Sequence, residues 1–447
     1  MKRVLIANRG EIALRAVRAC RKAGVESVAV YSTADSASPH LWAADHAVCI
    51  GPPSPLKSYL QPDVLIGVAQ ATRCDAIYPG YGFLAERSSF AEACAKAGLI
   101  FIGPSAEVIA AMGDKAAARR TAQKVGVPVV PGSREGFLSA EAALEAASAI
   151  GYPLLLKASA GGGGRGMRVV REPSEFLALF QQASAEALAA FGNAEMYLER
   201  FFDRVRHIEV QVFGDGHGNY RHLWERDCSV QRRHQKLVEE APSPVLSTAQ
   251  RKAITEAALS IVEDIRYTNA GTIEFIFDVQ SEKFFFIEMN TRIQVEHPVT
   301  ELVTGVDLVV EQLRVAAGEP ISFEQMRTLP SRAAIEWRIC AEDPDRDFQP
   351  GPGLIRRWRP PTGSFTRIDA HAYEGYTVPP HYDSMIAKLL VHGADRQEVL
   401  QRSHYALDDF EIAGIPTTLP FHRKLVRHPM FQNADVHTKW LDEGNLR

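Results

Sequence analysis

The first hundred residues alternate short apolar strands with helices, and this alternation restricts the folds open to the chain. Val4–Ala7 is typical of a strand, Asn8–Gly10 of a turn, and Glu11–Ala23 has apolar residues at helical spacing. Ser27–Tyr31 is the next apolar strand, and similar segments continue to about residue 103. Strands that alternate with helices pair in parallel, because each helix crosses back over the sheet. We therefore predict a small doubly wound parallel sheet.

The turn after the first strand lacks the GxGxxG fingerprint of dinucleotide-binding sheets. The N-terminal segment is therefore interpreted as a structural, Rossmann-like unit. Gly80–Phe83 could still reach an active site, because functional residues often lie on loops that a rigid scaffold carries.

The chain of 447 residues is too long for one compact core. We predict an α/β (α+β) protein with five successive parts. They are a doubly wound domain, linking helices, a small α/β unit with a glycine-rich run, a strand-rich unit and a C-terminal mixed α/β region. Their predicted bounds are 1–103, 104–130, 131–202, 203–330 and 331–447.

Four consecutive glycines, Gly161–Gly164, lie between two apolar segments. Glycines let backbone N–H groups turn toward a polyphosphate, because no Cβ obstructs them. No Gly-Lys-Ser/Thr sequence follows, so the run is not a Walker A loop. With Lys157 just before it, the run is typical of a lid over ATP. A simple surface turn is the alternative.

Two apolar segments, Gly271–Val279 and Lys283–Asn290, are predicted to form a β-hairpin. Counting outward from the turn sets Glu274 opposite Glu288, with Asn290 on the same face as Glu288. Opposed carboxylates among apolar neighbours repel each other, and a hard divalent cation would compensate them. Mg²⁺ is the candidate because it also bridges nucleotide phosphates. The alternative is an incidental acidic pair on a solvent-exposed face.

The segment Thr291–His297 directly follows this hairpin. Arg292 is suited to hold an oxyanion through two N–H groups, and Glu296 is suited to remove a proton from it. Upstream, Glu225–Lys236 is dense in charged and amide side chains, and a solvated surface loop is the alternative for it.

Alternation along Arg206–Phe213 places His207, Glu209 and Gln211 on one face. This pattern predicts a half-buried antiparallel strand whose polar face points toward a nucleotide. Glu199, between apolar residues, is a candidate for binding ribose hydroxyls beside an adenine slot.

Composition argues against several classes of function. A net charge of −4 without a basic block disfavours nucleic-acid binding, and no apolar run is long enough to span a membrane. The N-terminus lacks the apolar region of a secretory signal, which predicts a cytoplasmic protein. The cysteines are scattered without a CxxC pair, so neither zinc nor disulfides are expected. Most of the six are interpreted as small core residues: Cys20, Cys49, Cys74, Cys94, Cys228 and Cys340.

Several long segments, taken in order, resemble the ATP-grasp superfamily and, within it, the biotin carboxylase family. The resemblance runs over nearly the whole chain. It is carried by Ile6–Ala13, Lys157–Met167, Glu225–Lys236, Glu288–His297, Gly375–Pro380 and Tyr382–Met385.

The resemblance implies a Rossmann-like N-terminal domain, ATP-grasp central and lid domains, and a C-terminal mixed α/β domain. It also implies ATP- and bicarbonate-dependent carboxylation of biotin on a biotin carboxyl carrier protein, through carboxyphosphate. The expected setting is a multisubunit acetyl-CoA carboxylase of fatty acid biosynthesis, with carboxyltransferase subunits as partners and a homodimeric carboxylase. The alternatives are another acyl-CoA or oxo-acid carboxylase, a different ATP-grasp ligase, and an inactive scaffold that binds a carrier protein. No biotin-accepting Met-Lys segment occurs before Arg447, so a separate subunit is expected.

The resemblance also assigns roles to matching positions. ATP would be bound by Lys115, Lys157, Gly163, Gly164, Glu199, His207, Gln231, His234, Glu274 and Glu288. Two Mg²⁺ ions, which Mn²⁺ could replace, would be held by Glu274, Glu288 and Asn290. Bicarbonate would be bound by Lys236, Arg292, Gln294, Val295 and Glu296. The catalytic residues would be Glu296, Arg292, Lys236 and Arg338, and biotin would contact Arg338 and Tyr81. Trp337 is bulkier than the family pattern, and we expect that it could adjust the biotin pocket.

Overall fold

The computed structural model describes residues 1–133, 135–158 and 167–446. The chain divides into two compact units. The first holds Met1–Val127, Arg206–Ile276 and Glu288–Arg447, and the second holds Pro128–Val205 and Phe277–Ile287. The division into five parts stays a prediction.

The N-terminal sheet belongs to the first unit. Its strands are Arg3–Ile6 (β1), Glu26–Ser32 (β2), His46–Gly51 (β3), Ala76–Tyr78 (β4) and Ile100–Phe101 (β5). Its helices are Gly10–Ala23 (α1), Pro39–Ala43 (α2), Pro62–Ala71 (α3), Ser88–Lys96 (α4), Ala106–Gly113 (α5) and Lys115–Lys124 (α6). The strands pair in parallel in the order β3-β2-β1-β4-β5, which confirms the doubly wound sheet.

Apolar side chains fill both faces of this sheet. Val4 and Ile6 on β1 pack in the same core as Ile12 of α1, whereas Leu5 packs on the opposite face in a core that contains Phe90 of α4. A strand covered on both faces needs a continuous apolar run, which explains the sequence of β1.

The second unit contains a small antiparallel sheet in the order β7-β6-β8. Its elements are Ala140–Ile150 (α7), Leu154–Ala158 (β6), Arg168–Val170 (β7), Phe176–Phe191 (α8) and Met196–Arg200 (β8). Alanines of α7 and aromatic residues of α8 share one core with Leu154 and Leu156 of β6.

A large sheet of eight strands carries most of the charged residues singled out above. One side of it is formed by Val205–Gly214 (β9), Tyr220–Arg232 (β10), Gln235–Ala241 (β11), Asn269–Asp278 (β12) and Lys283–Asn290 (β13). The accompanying helices are Thr248–Asp264 (α9), His297–Thr304 (α10) and Leu308–Ala316 (α11).

The C-terminal region adds strands to this same sheet. Its strands are Ala333–Cys340 (β14), Glu342–Asp343 (β15), Gln349–Pro350 (β16), Gly353–Leu354 (β17), Arg357–Arg359 (β18), Thr366–Ala370 (β19), Thr377–Val378 (β20), Met385–Gly393 (β21) and Glu411–Ala413 (β22). Its helices are Arg396–Asp409 (α12), Leu419–Leu425 (α13) and Pro429–Gln432 (α14). The strand order is β13-β12-β9-β10-β11-β14-β21-β19, so β14 extends the sheet at β11.

Two expectations about this sheet are wrong. The strand β9 is not half-buried, because Glu209 and Gln211 on its polar face are as fully buried as Ile208 and Val210 on the other. Trp337 does not adjust a pocket around Arg338. Successive side chains of β14 point to opposite faces, and the Trp337 indole is buried in the C-terminal core, where its Nε1 donates to Ser403 Oγ at 3.1 Å.

The described part of the chain contains no helix with the length and apolar character that crossing a membrane requires. All six cysteines are free thiols and all except Cys49 are buried.

Candidate active site

A largely buried ammonium lies at the centre of the polar face of the large sheet. Lys236 Nζ lies 2.6 Å from Glu209 Oε2, 2.6 Å from Glu296 Oε1 and 3.4 Å from Glu274 Oε1. Burial alone would lower the pKa of Lys236, but these three carboxylates together raise it well above its ordinary value. Lys236 is therefore a permanent cation.

Glu296 is held between two cations. It directly precedes α10, and its Oε2 accepts from Arg338 Nη2 at 2.9 Å while its Oε1 faces Lys236. Burial would raise the pKa of Glu296, yet Lys236, Arg338 and Arg226 hold it well below the usual range. Glu296 is thus an ionised carboxylate in a largely dry site, which is the form that can accept a proton.

The guanidinium of Arg338 is shared between two acids. Its Nε donates to Glu239 Oε1 at 2.6 Å, and its Nη2 donates to Glu296. Glu239 lies directly across the β11–β14 ladder from a second buried acid, Glu336. Burial raises the pKa of Glu239 to about 7 and that of Glu336 well above its ordinary value.

Glu274 is the most connected acid on β12. It accepts from Asn290 Nδ2 at 2.7 Å and from Gln294 Nε2 at 2.9 Å, and its Oε2 lies 3.0 Å from His207 Nε2. Burial would raise the pKa of Glu274, but Lys236 and His207 keep it lowered. The same pairing raises the pKa of His207 against the effect of its burial.

The residues predicted to hold a metal offer oxygen donors suited to a hard divalent cation. Glu274 is ionised, and Glu288 on β13 is partly exposed and lies 3.2 Å from Lys115 Nζ. Asn290 contributes a side-chain oxygen, Oδ1, which accepts from Arg292 Nη2 at 3.2 Å. Carboxylate and amide oxygens are the ligands that Mg²⁺ prefers, so this set fits the ion. A ligand atom of Glu209 also lies within 4.8 Å of those of His207 and Glu274.

The segment after β13 carries the predicted anion-binding groups. Arg292 Nε donates to Glu86 Oε2 at 2.9 Å, which leaves the guanidinium joined to Asn290 on one side and to the N-terminal sheet domain on the other. The Val295 carbonyl accepts from Lys388 Nζ at 2.9 Å.

Arg226 is a residue that the sequence did not single out. It is fully buried, and it donates to Glu209 Oε1 at 2.6 Å, to Gln211 Oε1 at 2.7 Å and to Gln294 Oε1 at 2.8 Å. Arg226 thereby fixes the Gln294 amide so that its Nε2 faces Glu274. The alternating strand β9 indicated it, because a buried Glu209 carboxylate requires a cation and a buried Gln211 amide requires a hydrogen-bond partner.

The segment Glu225–Lys236 is not a solvated surface loop, so the alternative considered for it is wrong. It spans the end of β10, a two-residue turn and the start of β11, and Arg226 and Asp227 are fully buried. His234 lies in the exposed turn with a left-handed φ of 66°. Gln231 Nε2 lies 3.2 Å from His207 Nδ1.

The loop with Tyr81 is shaped by Asn8. The Asn8 amide donates to the carbonyls of Pro79 and Tyr81 at 2.7 and 2.8 Å, and Gly80 between them has φ 63°. A Cβ at Gly80 would lie 3.0 Å from the same amide, so a side chain there would displace it. The Tyr81 hydroxyl donates to Glu11.

The second unit holds two of the predicted ATP-binding residues. Lys157 on β6 forms an ion pair with Glu199 on β8. Gly163 and Gly164 lie outside the described residues.

The structure brings together most of the predicted residues of the first unit in one connected network. These are His207, Gln231, Lys236, Glu274, Asn290, Arg292, Gln294, Glu296 and Arg338. Lys115 meets Glu288 at the surface, and Tyr81 and Val295 are joined through Glu11 and Lys388.

Comparison with known proteins assigns three consecutive regions of the chain. Residues 1–109 match the N-terminal domain of biotin carboxylase, residues 114–324 match the ATP-binding domain of the carbamoyl-phosphate synthase L chain, and residues 336–443 match the C-terminal domain of biotin carboxylase.

Individual relatives are similar over most or all of their length. A biotin carboxylase of Nostoc sp. is 53% identical over 444 residues, covering 99% of both chains. A pyruvate carboxylase subunit of Methanothermobacter thermautotrophicus is 49% identical, covering 99% of this chain and 89% of the relative.

A solved structure extends the likeness to three dimensions. The biotin carboxylase domain dimer of Hydrogenobacter thermophilus 2-oxoglutarate carboxylase, in complex with MgADP, ADP and bicarbonate, superimposes with a TM-score of 0.90 and 45% identity. The superposition covers 99% of this chain and 98% of that chain. The chain belongs to the biotin carboxylase family and is an ATP-grasp ligase.

Proposed function

We propose that this chain uses ATP and bicarbonate to carboxylate biotin on a carrier protein, with Glu296 as the base. The observation that carries the proposal is the ionised Glu296 carboxylate between Lys236 and Arg338. Glu296 takes the proton of bicarbonate, and an oxygen of the resulting anion attacks the γ-phosphorus of ATP. The bond from that phosphorus to ADP breaks, which leaves carboxyphosphate and ADP.

The remaining bicarbonate contacts follow from the surrounding donors. Lys236 and Arg292 supply positive charge, and Gln294 and the Val295 backbone add polar contacts. We propose that Arg338 and Tyr81 bind biotin, and that Arg338 stabilises the negative charge on its ureido oxygen. Carboxyphosphate breaks down to CO₂ and phosphate, this phosphate removes the N1′ proton of biotin, and N1′ then bonds to CO₂.

The nucleotide is proposed to contact the residues that the family pattern assigns. Lys115, Lys157, Gly163, Gly164, Glu199, His207, Gln231 and His234 would contact it, together with Glu274 and Glu288. Glu274, Glu288 and Asn290 would hold two Mg²⁺ ions, or Mn²⁺ in their place, which neutralise phosphate charge during the transfer.

Chelation of divalent cations is expected to stop bicarbonate-dependent ADP release, and added Mg²⁺ or Mn²⁺ should restore it. Replacing Glu288 by glutamine removes one anionic donor, so the Mg²⁺ concentration for half-maximal rate should rise at least about tenfold. ADP release measured across a Mg²⁺ titration checks this result. The surface variant Glu256→Gln is the control, and an unchanged Mg²⁺ requirement in Glu288→Gln would remove that residue from the metal site.

We propose that partner subunits bind the final carboxyl acceptor and that this acceptor is acetyl-CoA. We also propose that this chain forms a homodimer. Acetyl-CoA is the acceptor that the sequence resemblance implies, and the domain dimer of the solved 2-oxoglutarate carboxylase structure supports a homodimer. Similarity to pyruvate and 2-oxoglutarate carboxylases supports an oxo acid as the second candidate. Isolating the chain with its carrier and transferase subunits, and then comparing carboxylation of acetyl-CoA, pyruvate and 2-oxoglutarate, decides between them.

A further inference from the structure

A second buried ammonium, that of Lys388 on β21, lies beside the active-site network. Lys388 is not one of the site residues predicted from the sequence. Its side chain is fully buried, and its Nζ lies 2.9 Å from Glu11 Oε1 and 2.9 Å from the Val295 carbonyl oxygen. Burial would lower the pKa of Lys388, but Glu11, Glu336 and Asp369 raise it. In register, Lys388 pairs with Arg338 on one side and with Asp369 on the other.

The two peptide groups that flank Val295 are both held at their carbonyl oxygens. The Gln294 oxygen accepts from His297 Nδ1 at 2.7 Å, and the Val295 oxygen accepts from Lys388. A trans peptide directs its N–H opposite to its C=O. The Gln294 carbonyl shares its peptide with the Val295 N–H, so His297 fixes the direction of that N–H, which the proposed function places against bicarbonate. The Val295 carbonyl shares its peptide with the Glu296 N–H, so Lys388 fixes the backbone from which the proposed base Glu296 extends.

The same ammonium is joined to the loop that carries Tyr81. Glu11, near the start of α1, pairs with Lys388 and accepts from the Tyr81 hydroxyl. One buried ion pair thus connects the predicted bicarbonate contact at Val295 with the predicted biotin contact at Tyr81.

We propose that Lys388 is a positioning residue of the carboxylation reaction. It holds the peptide between Val295 and Glu296, which joins the proposed bicarbonate contact to the proposed base, and through Glu11 it sets the place of the Tyr81 hydroxyl. This inference rests on the proposed function, because it assumes that the segment around Val295 binds bicarbonate.

The test replaces Lys388 by methionine, which keeps most of the side-chain length and removes the ammonium. The KM for bicarbonate is expected to rise about tenfold to a hundredfold, because small displacements of a binding group have effects of this size. The KM for free biotin should rise as well, whereas the Kd for ATP should stay within twofold of wild type. Bicarbonate-dependent ADP release and ATP titration give these quantities.

A double variant separates positioning from stability. Lys388→Met alone strands the buried Glu11 carboxylate, whereas Glu11→Gln with Lys388→Met removes that carboxylate as well and should recover part of the lost resistance to urea. The KM for bicarbonate should remain raised in the double variant, since the Val295 carbonyl still lacks its donor. Arg251→Met, which breaks the buried pair with Glu225, is the matched control and should change stability alone.

The outcomes separate the two levels of the proposal. A wild-type chain that releases ADP in response to bicarbonate, together with an unchanged bicarbonate KM in the folded double variant, would overturn the role of Lys388 only. A wild-type chain without any bicarbonate response would reject the proposed function and this inference with it.

Discussion

Replacing Glu296 by glutamine is expected to lower bicarbonate-dependent ADP release by about 10²–10⁴-fold, the usual contribution of a positioned base. The amide keeps the shape of the side chain and can still accept from Arg338, but it cannot take a proton from bicarbonate. The Kd for ATP should stay close to that of wild type, because none of the proposed nucleotide contacts is altered. Steady-state ADP release at saturating bicarbonate, paired with ATP titration of the same sample, measures both effects.

Glu311→Gln is the matched control for this substitution. Glu311 is equally buried, but its carboxylate accepts from the backbone and hydroxyl of Ser322 at 2.6 and 2.7 Å and has no part in the network. The Glu311→Gln variant should lose some stability and keep the wild-type rate of ADP release. A Glu296→Gln enzyme that turned over as fast as this control would show that another group accepts the proton.

Replacing Arg338 by glutamine should separate the two half-reactions. Transfer to biotin is expected to fall by about 10²–10³-fold, the effect of removing one donor to a developing oxyanion. Bicarbonate-dependent ADP release should survive in part, because Lys236 still holds Glu296. The two activities are measured on the same preparation, as biotin carboxylation and as ADP release without biotin.

The pH profile of the residual ADP release gives an independent check. Arg338 is one of the cations that lower the pKa of Glu296, so its removal should raise that pKa. Activity that needs the ionised carboxylate is lost as the pH falls through its pKa, and the acidic limb should therefore move to higher pH. Arg396→Gln, which loses a pair with Glu240 on the same strand as Glu239, should leave the limb in place. Equal loss of both activities without a shift would contradict a separate role of Arg338 toward biotin.

Local pattern predicted the elements that carry the site. The strand β9 and the apolar hairpin strands β12 and β13 could be placed from spacing and turn residues, because these signals depend on near neighbours. The parallel N-terminal sheet followed from the same alternation.

Contacts between elements far apart in sequence could not be predicted in this way. Arg226 meets Gln294 and Lys388 meets Glu11 only because the fold brings a strand against a segment far away in sequence, the loop after β13 in one case and the helix α1 in the other. The alternation along β9 correctly placed Glu209 and Gln211 on one face of the strand. Whether other elements bury that face depends on the rest of the fold. Trp337 was misjudged for the same reason, since its neighbours α12 and α14 lie far downstream.

The joining of β14 to β11 has a consequence for exchanging parts between related enzymes. The register sets Glu239 against Glu336 and Val238 against Trp337, so the seam between the two regions is made of paired side chains rather than of a linker. Arg338 comes from one side of this seam and its partners Glu239 and Glu296 from the other. A chimaera joined between residues 317 and 333 would take Arg338 from one parent enzyme and its two acidic partners from the other. Its active site would function only if the two parents carry complementary charges at these positions.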